Sequence, residues 1–345
     1  MPAEWERHEA TWLGWPHNLS DWPGKFAPIP WVFADIARKV SAGELVRILV
    51  QSKEHEQKAR NVLQRAGVNL NSIEFFRIPT DRGWTRDTGP MFVRSSDGKS
   101  SVVRFRFNAW AKYPNWKKDV NVPEKAAAKL KRSIIQVKHN GSSQGDKPVV
   151  LEGGSIDVNG SGTLLTTEEC LMDPNVQVRN PGFTKRDYEE VFRKYLGVTN
   201  TIWLGKGIAG DDTHGHVDDL CRFVNKNTAV LCAENNSRDD NYRLLAENRE
   251  RLQNAKLENG SKLQVVDLPM PAPVVFAGQR LPASYANFYI ANAAVLVPTF
   301  NDPNDRRALG IISELITDRP VVGIHALDLV WGLGTLHCLT QQQPA

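Results

Sequence analysis

The sequence predicts an α/β protein in which one small unit recurs in a closed, radial arrangement. Three observations carry that prediction. Strand–turn–strand patterns begin near positions 89, 154, 215 and 286, with a fifth start at 334–340, a spacing of roughly 60–70 residues. Apolar residues at helical spacing fill the intervals between them. No G-x-G-x-x-G follows a strand and no G-x-x-x-x-G-K-[ST] occurs, so a doubly wound nucleotide-binding sheet lacks its signature.

The elements follow in order. The first 31 residues hold five of the ten tryptophans, Trp5, Trp12, Trp15, Trp22 and Trp31, and read as an opening segment that covers the core. Residues 31–40 and 54–66 have amphipathic helical spacing, with a strand at 46–50 between them. The first hairpin runs from 89–94 through a Ser/Asp/Gly turn to 102–107, and a strand follows at 133–137. Lys129, Lys131 and Arg132 read as one solvated helix face. The second hairpin, 154–158 and 163–167, turns at Asn159-Gly160 and leads to a helix at 187–195 and a strand at 199–204. The third, 216–224 and 228–232, leads to a helix at 242–252 and a strand at 263–267. A proline-rich loop precedes the fourth, 286–290 and 293–298, whose helix and strand are 305–316 and 321–324. Apolar and β-branched runs joined by Gly or Asn turns are hairpin signals. No interdomain linker interrupts the series, which predicts one domain over 1–345.

Residues with chemistry cluster where these hairpins begin. Asp87 precedes the first, Glu152 the second, His216 and Asp218 open the third, and Cys338 lies in the fifth. On a strand, side chains at i and i+2 share a face, so the segment Gly215-His216-Val217-Asp218-Asp219 would aim an imidazole and a carboxylate together. If the units surround one axis, three carboxylates, one imidazole and one thiol converge. Taken singly, each has an ordinary structural reading. Asp87 fits a turn cap, Glu152 a loop charge, and Cys338 a small core residue.

Composition bounds the function. Charged residues are 24% and hydrophobic residues 41% of the chain, as in folded water-exposed proteins. Net charge is +4 from 43 basic and 39 acidic residues, too small an excess to argue for nucleic acid. No apolar run approaches the ~20 residues of a membrane span. The N-terminus is polar and acidic, unlike a secretory signal. Cys170, Cys221, Cys232 and Cys338 have no C-x-x-C spacing, so neither a disulfide framework nor zinc is expected, and a cytoplasmic location fits. Self-association into a homo-oligomer stays open.

The segments TRDTGP, EGGSID, DDTHGHVDD and GTLHCLTQQ resemble, in order and spacing, the agmatine deiminase / bacterial peptidylarginine deiminase family. The resemblance extends from Glu4 to Gln343. It implies the pentein fold, a five-fold pseudo-symmetric α/β propeller. It also implies hydrolysis of agmatine to N-carbamoylputrescine and ammonia, a step toward putrescine, without metal or cofactor. It assigns Cys338 as nucleophile, His216 with Asp218 as the His-x-Asp pair, and Asp87 and Glu152 as guanidinium-binding acids. The alternatives are deimination of protein-bound or free arginine, and a non-catalytic binding protein of the same fold.

The residue chemistry agrees. A guanidinium is a planar fork of N–H donors that carboxylates grip, a thiolate is a strong nucleophile at neutral pH, and imidazole moves protons. For the far amine of agmatine, Asp211 and Asp212 are the expected acids. Trp84 and Trp110 are expected against the guanidinium or its alkyl chain, with ordinary packing the alternative for Trp110. His337, next to Cys338, should point the opposite way on a strand and be structural. His214 fits the pocket rim or a loop. His8 and His17 show no role, and Cys170, Cys221 and Cys232 are expected to be buried on hairpin strands.

Overall fold

The computed structural model describes residues 1–141 and 145–345. Among these, four sheets share one three-stranded pattern. Met91–Arg94 pairs antiparallel with Ser100–Arg104, which pairs parallel with Ile134–Gln136. Asp157–Val158, Thr163–Thr167 and Asn200–Leu204 repeat the pattern. So do Cys221–Asn225, Thr228–Ala233 and Gln264–Pro269, and Tyr289–Ile290, Val295–Thr299 and Val321–His325. Short turns permit only the antiparallel pairing, whereas the parallel partner needs a crossover. The crossovers include the helices Val122–Leu130, Lys185–Leu196, Asn241–Leu252 and Asn304–Leu315.

Helix Lys185–Leu196 shows how the local sequence sets such a crossover. Thr184 accepts from the Asp187 amide while Asp187 returns a bond to the Thr184 backbone, and Gly197 stops the helix at φ 72°. Tyr188, Val191, Phe192 and Leu196 form the buried stripe, at the spacing that places them on one face. Losing the Thr184 cap would cost about 1 kcal/mol.

The fifth sheet joins the ends of the chain. Thr340–Pro344 pairs antiparallel with His8–Gly14, which pairs parallel with Leu45–Val50 across the helix Ile29–Val40. Leu45–Val50 also pairs with Ile73–Arg77, after the helix Lys53–Arg65. The opening segment is therefore not only a cover: His8–Gly14 is an interior strand. It was hidden because both of its faces are buried, so the two-residue alternation is lost. Trp12, Trp15 and Trp22 are buried, but Trp31 is 42% exposed.

Two further expectations are corrected. Helix Val122–Leu130 ends before Lys131, which adopts φ 54°, so Lys131 and Arg132 lie beyond the helix rather than on its face. Three hairpin starts are also single helical turns, not strand ends: Gly153–Ser155, Val217–Asp219 and Leu336–Leu339, and a fourth such turn, Thr85–Thr88, precedes the first hairpin. The turn at Thr85–Thr88 packs on those at Leu336–Leu339 and Gly153–Ser155, and the latter packs on Val217–Asp219. The starts that bear chemistry thus converge. No helix among the described residues is long and apolar enough to cross a membrane.

Candidate active site

Cys338, His216, Asp218, Asp87 and Glu152 come together, all buried. Cys338 Sγ lies 3.8 Å from Asp218 Oδ2. His216 Nδ1 is 3.9 Å from Asp87 Oδ2 and 4.0 Å from Asp218 Oδ1, and its Nε2 is 4.0 Å from Glu152 Oε2. These separations exceed hydrogen bonds. Glu152 Oε2, His216 Nε2 and Asp218 Oδ1 are buried without protein partners. Unpaired buried polar atoms are costly, and here two carboxylate oxygens and one imidazole nitrogen are left open around His216. A Cβ at Gly154 would stand 2.5 Å from His216 Nδ1 and 3.0 Å from Asp218 Oδ2, so any side chain there would fill this space.

His216 and Asp218 reach it from a helical turn, not a strand. His216 is the extended residue before the turn Val217–Asp219, and the strand begins only at Cys221. Cys338 likewise sits in Leu336–Leu339 ahead of its strand. The alternation expected for His337 therefore fails. His337 is buried, but its Nδ1 meets Asp218 Oδ2 at 2.6 Å and its Nε2 meets Glu4 Oε2 at 2.8 Å. Glu4 also accepts from Arg86 and Arg222, so a buried ionic network braces Asp218 from below.

The charges tune one another. Burial pushes the Cys338 thiol well above its ordinary value, and Asp218, Asp219 and Asp87 add to the effect, while the amide of Asn287 opposes it. Burial alone would lower His216, but Asp87, Cys170 and Asp218 outweigh it and hold the imidazole well above its ordinary value. Burial also raises Asp87. Asp218 stays below the usual carboxylate range despite burial, because His337 bonds to it. Both directions favour the protonated forms, a neutral Cys338 thiol and a cationic His216 imidazole.

A cavity of about 90 Å³ opens above Cys338 and Asp87, lined also by Asp21, Arg82, Trp84, Trp110, Tyr113 and Asp212. Trp110 does more than pack: its Nε1 donates to Asp87 Oδ2 at 2.8 Å, and the Gly154 amide donates to Oδ1 at 2.9 Å. Trp84 stacks 5.4 Å from Trp22 and closes over Gly334. Asp212 is at the rim, with Oδ1 accepting from Lys112 at 2.5 Å and Oδ2 from Tyr113 at 2.6 Å. Asp211 is not in the lining. Its carboxylate instead accepts from the amides of Thr213, Gly215 and His216, bracing the loop that delivers His216. His214 bonds Asp173. His8 bonds Glu44, and His17 meets the carbonyls of Trp15 and Thr80.

Cys221 and Cys232 are buried on strands, but Cys170 is in the helix Glu168–Met172. Glu152, Cys170 and His216 place ligand atoms within 4.8 Å of one another, as do Asp218, Asp219 and Cys338. Either triplet has metal-donor chemistry, yet each is also part of the thiol–imidazole–carboxylate set.

Asn287 went unnoticed in the sequence. It stands at the fourth hairpin start, the one without an assigned residue. Its Nδ2 donates to Cys338 Sγ at 3.1 Å and to Asp219 Oδ1 at 2.9 Å, and its Oδ1 accepts from the His337 amide at 3.0 Å. Its place in the repeat was the available signal.

The family model for Porphyromonas-type peptidyl-arginine deiminases matches residues 1–344. A putative agmatine deiminase of Latilactobacillus sakei is 35% identical, the alignment covering 100% of this chain and 96% of that protein. A solved agmatine deiminase of Enterococcus faecalis superposes with a TM-score of 0.89 at 30% identity, covering 100% and 95% of the two chains. A substrate-bound cysteine-to-serine variant of a C. jejuni agmatine deiminase superposes with a TM-score of 0.87 at 29% identity, covering 100% and 96%.

Proposed function

The chain belongs to the Porphyromonas-type peptidyl-arginine deiminase family, and within it we propose that this protein hydrolyses agmatine to N-carbamoylputrescine and ammonia. The observation that carries the reading is the buried thiol of Cys338 beside carboxylates and an imidazole with open hydrogen-bonding positions. The agmatine deiminases to which the chain is similar, over 96% and 95% of their lengths, support the substrate. The five sheets and the convergence of their starting turns support a five-fold propeller formed as one domain over 1–345. Four unpaired, buried cysteines fit a reducing cytoplasm.

In this mechanism Asp218, through its open Oδ1, and Asp87, through the remaining acceptor positions of its oxygens, hold the guanidinium fork, with Glu152 behind His216. The thiol is disfavoured as an anion by the carboxylates around it. A bound guanidinium offsets that negative field, so Cys338 loses its proton to solvent as substrate arrives. The thiolate attacks the guanidinium carbon and forms a C–S bond. His216, resting protonated, gives its proton to the departing nitrogen, and ammonia leaves. The thiouronium that remains is attacked by water, whose proton returns to His216. Collapse breaks the C–S bond and frees the carbamoyl product and the thiol. Overall one water is consumed, and the ammonia together with the proton first lost by Cys338 leaves as ammonium.

The test is ammonia release from purified protein given agmatine, free arginine or an arginine-containing peptide. Turnover of agmatine above the other two is expected. Turnover confined to arginine or the peptide would replace agmatine as the substrate, and none on any of them would remove the deiminase reading.

A further inference from the structure

The acids that line the cavity are not equally occupied. Asp87 takes a donor on each oxygen, from Trp110 and Gly154. Asp212 does the same, from Lys112 and Tyr113. Asp21 does not. Its Oδ1 accepts from Arg82 Nη1 at 2.7 Å, while its Oδ2 is buried with no partner. Asp21 lines the same cavity as Cys338 and is only 6% exposed. Burial pushes its carboxyl up to about 6 against the pull of Arg82, as expected of an acid short of donors.

We propose that Asp21 receives the terminal ammonium of the substrate and so makes the pocket selective for a guanidine with a distal amine. The proposal rests on the agmatine reading above and moves amine recognition from Asp211 and Asp212 to a residue with an open acceptor. An ammonium has three donors and no acceptor, which suits Oδ2, and the bond would be charge-assisted. Arg82 does not take that position. Its guanidinium stacks 4.1 Å from the Tyr113 ring centre and reaches Asn115 Oδ1, which holds it beside Oδ1 as a brace. Between the two ends of the cavity, Trp84, Trp110 and Tyr113 supply aromatic walls for a short alkyl chain.

The experiment compares agmatine with n-butylguanidine, which lacks the amine, in the wild type and in Asp21→Asn. The asparagine keeps an oxygen for Arg82 and removes the charge. Agmatine KM should rise about ten- to a hundredfold with kcat nearly unchanged. The kcat/KM for n-butylguanidine should be alike in both proteins, which also shows that the variant folds. Asp21→Ser is the second variant, expected to behave in the same way. An unchanged agmatine KM, or equal losses for both substrates, would overturn the role of Asp21 alone. A wild type that turns over n-butylguanidine but not agmatine would overturn the substrate reading, and this proposal with it.

Discussion

The floor and the rim of the cavity are built from the same residue types to opposite ends. At the floor stand Asp87 and Cys338, and behind them Glu152, Asp218 and Asp219 crowd the thiol and the imidazole, with three polar atoms lacking partners. At the rim, Arg82 answers Asp21 and Lys112 answers Asp212, and among the described carboxylates of the lining, Asp21 alone has an oxygen without a partner. An unbalanced, buried set stores an electrostatic demand that a cation relieves. A balanced, partly solvated set discriminates by shape and by the remaining acceptor. Changes at the floor should therefore appear in kcat and changes at the rim in KM.

The strongest test of this contrast is Cys338→Ala. It should abolish ammonia release while leaving the circular dichroism spectrum and thermal midpoint near wild type, because a small, buried thiol is replaced by a small apolar group. Residual turnover would remove Cys338 from the role of nucleophile proposed for it.

Asn287→Ala should come next, with kcat reduced about ten- to a hundredfold, the scale of one hydrogen bond to a charged group. Its distinguishing readout is the titration of Cys338, followed by thiolate absorbance or alkylation rate against pH. The thiol is raised above its ordinary value of 9.0, so the anion grows only as pH climbs past that value. Asn287 lowers it by donating to sulfur, so removing the amide should move the midpoint higher still. A midpoint that falls or stays would place Asn287 outside the activation of sulfur.

The smallest effect is expected at Asp212→Asn. Its partner Lys112 is 41% exposed, and such surface pairs contribute about 0–1 kcal/mol, so agmatine KM should change by less than about fivefold. A larger rise than at Asp21→Asn would return amine recognition to Asp212.

Much of this site was legible because the repeat marked positions rather than contacts. Asp87, Glu152, His216, Asp218 and Cys338 were each found at a hairpin start, and those starts converge. What failed was local geometry. The periodicity of the following strands was extended back over turns that are helical, so the same-face argument for His216 and Asp218 used the wrong element. Their oxygen and nitrogen still approach within 4.0 Å, by way of a helical turn. The same error turned His337 away from Asp218, to which it is bonded. Asp21 carried no signal, since a lone acid in a tryptophan-rich opening segment has no period.

By itself the sequence determined the recurring hairpin, helix and strand, the crossovers' amphipathic faces and the candidate side chains that the fold brings together. Those follow from short-range periodicity and turn chemistry, which are written in consecutive residues. Only the tertiary structure decided that His8–Gly14 pairs with Thr340–Pro344, that Asn287 donates to Cys338, and which acid keeps an oxygen free. These depend on contacts between residues tens to hundreds of positions apart. Whether a buried carboxylate is satisfied is a property of its neighbours in space, not of its neighbours in the chain.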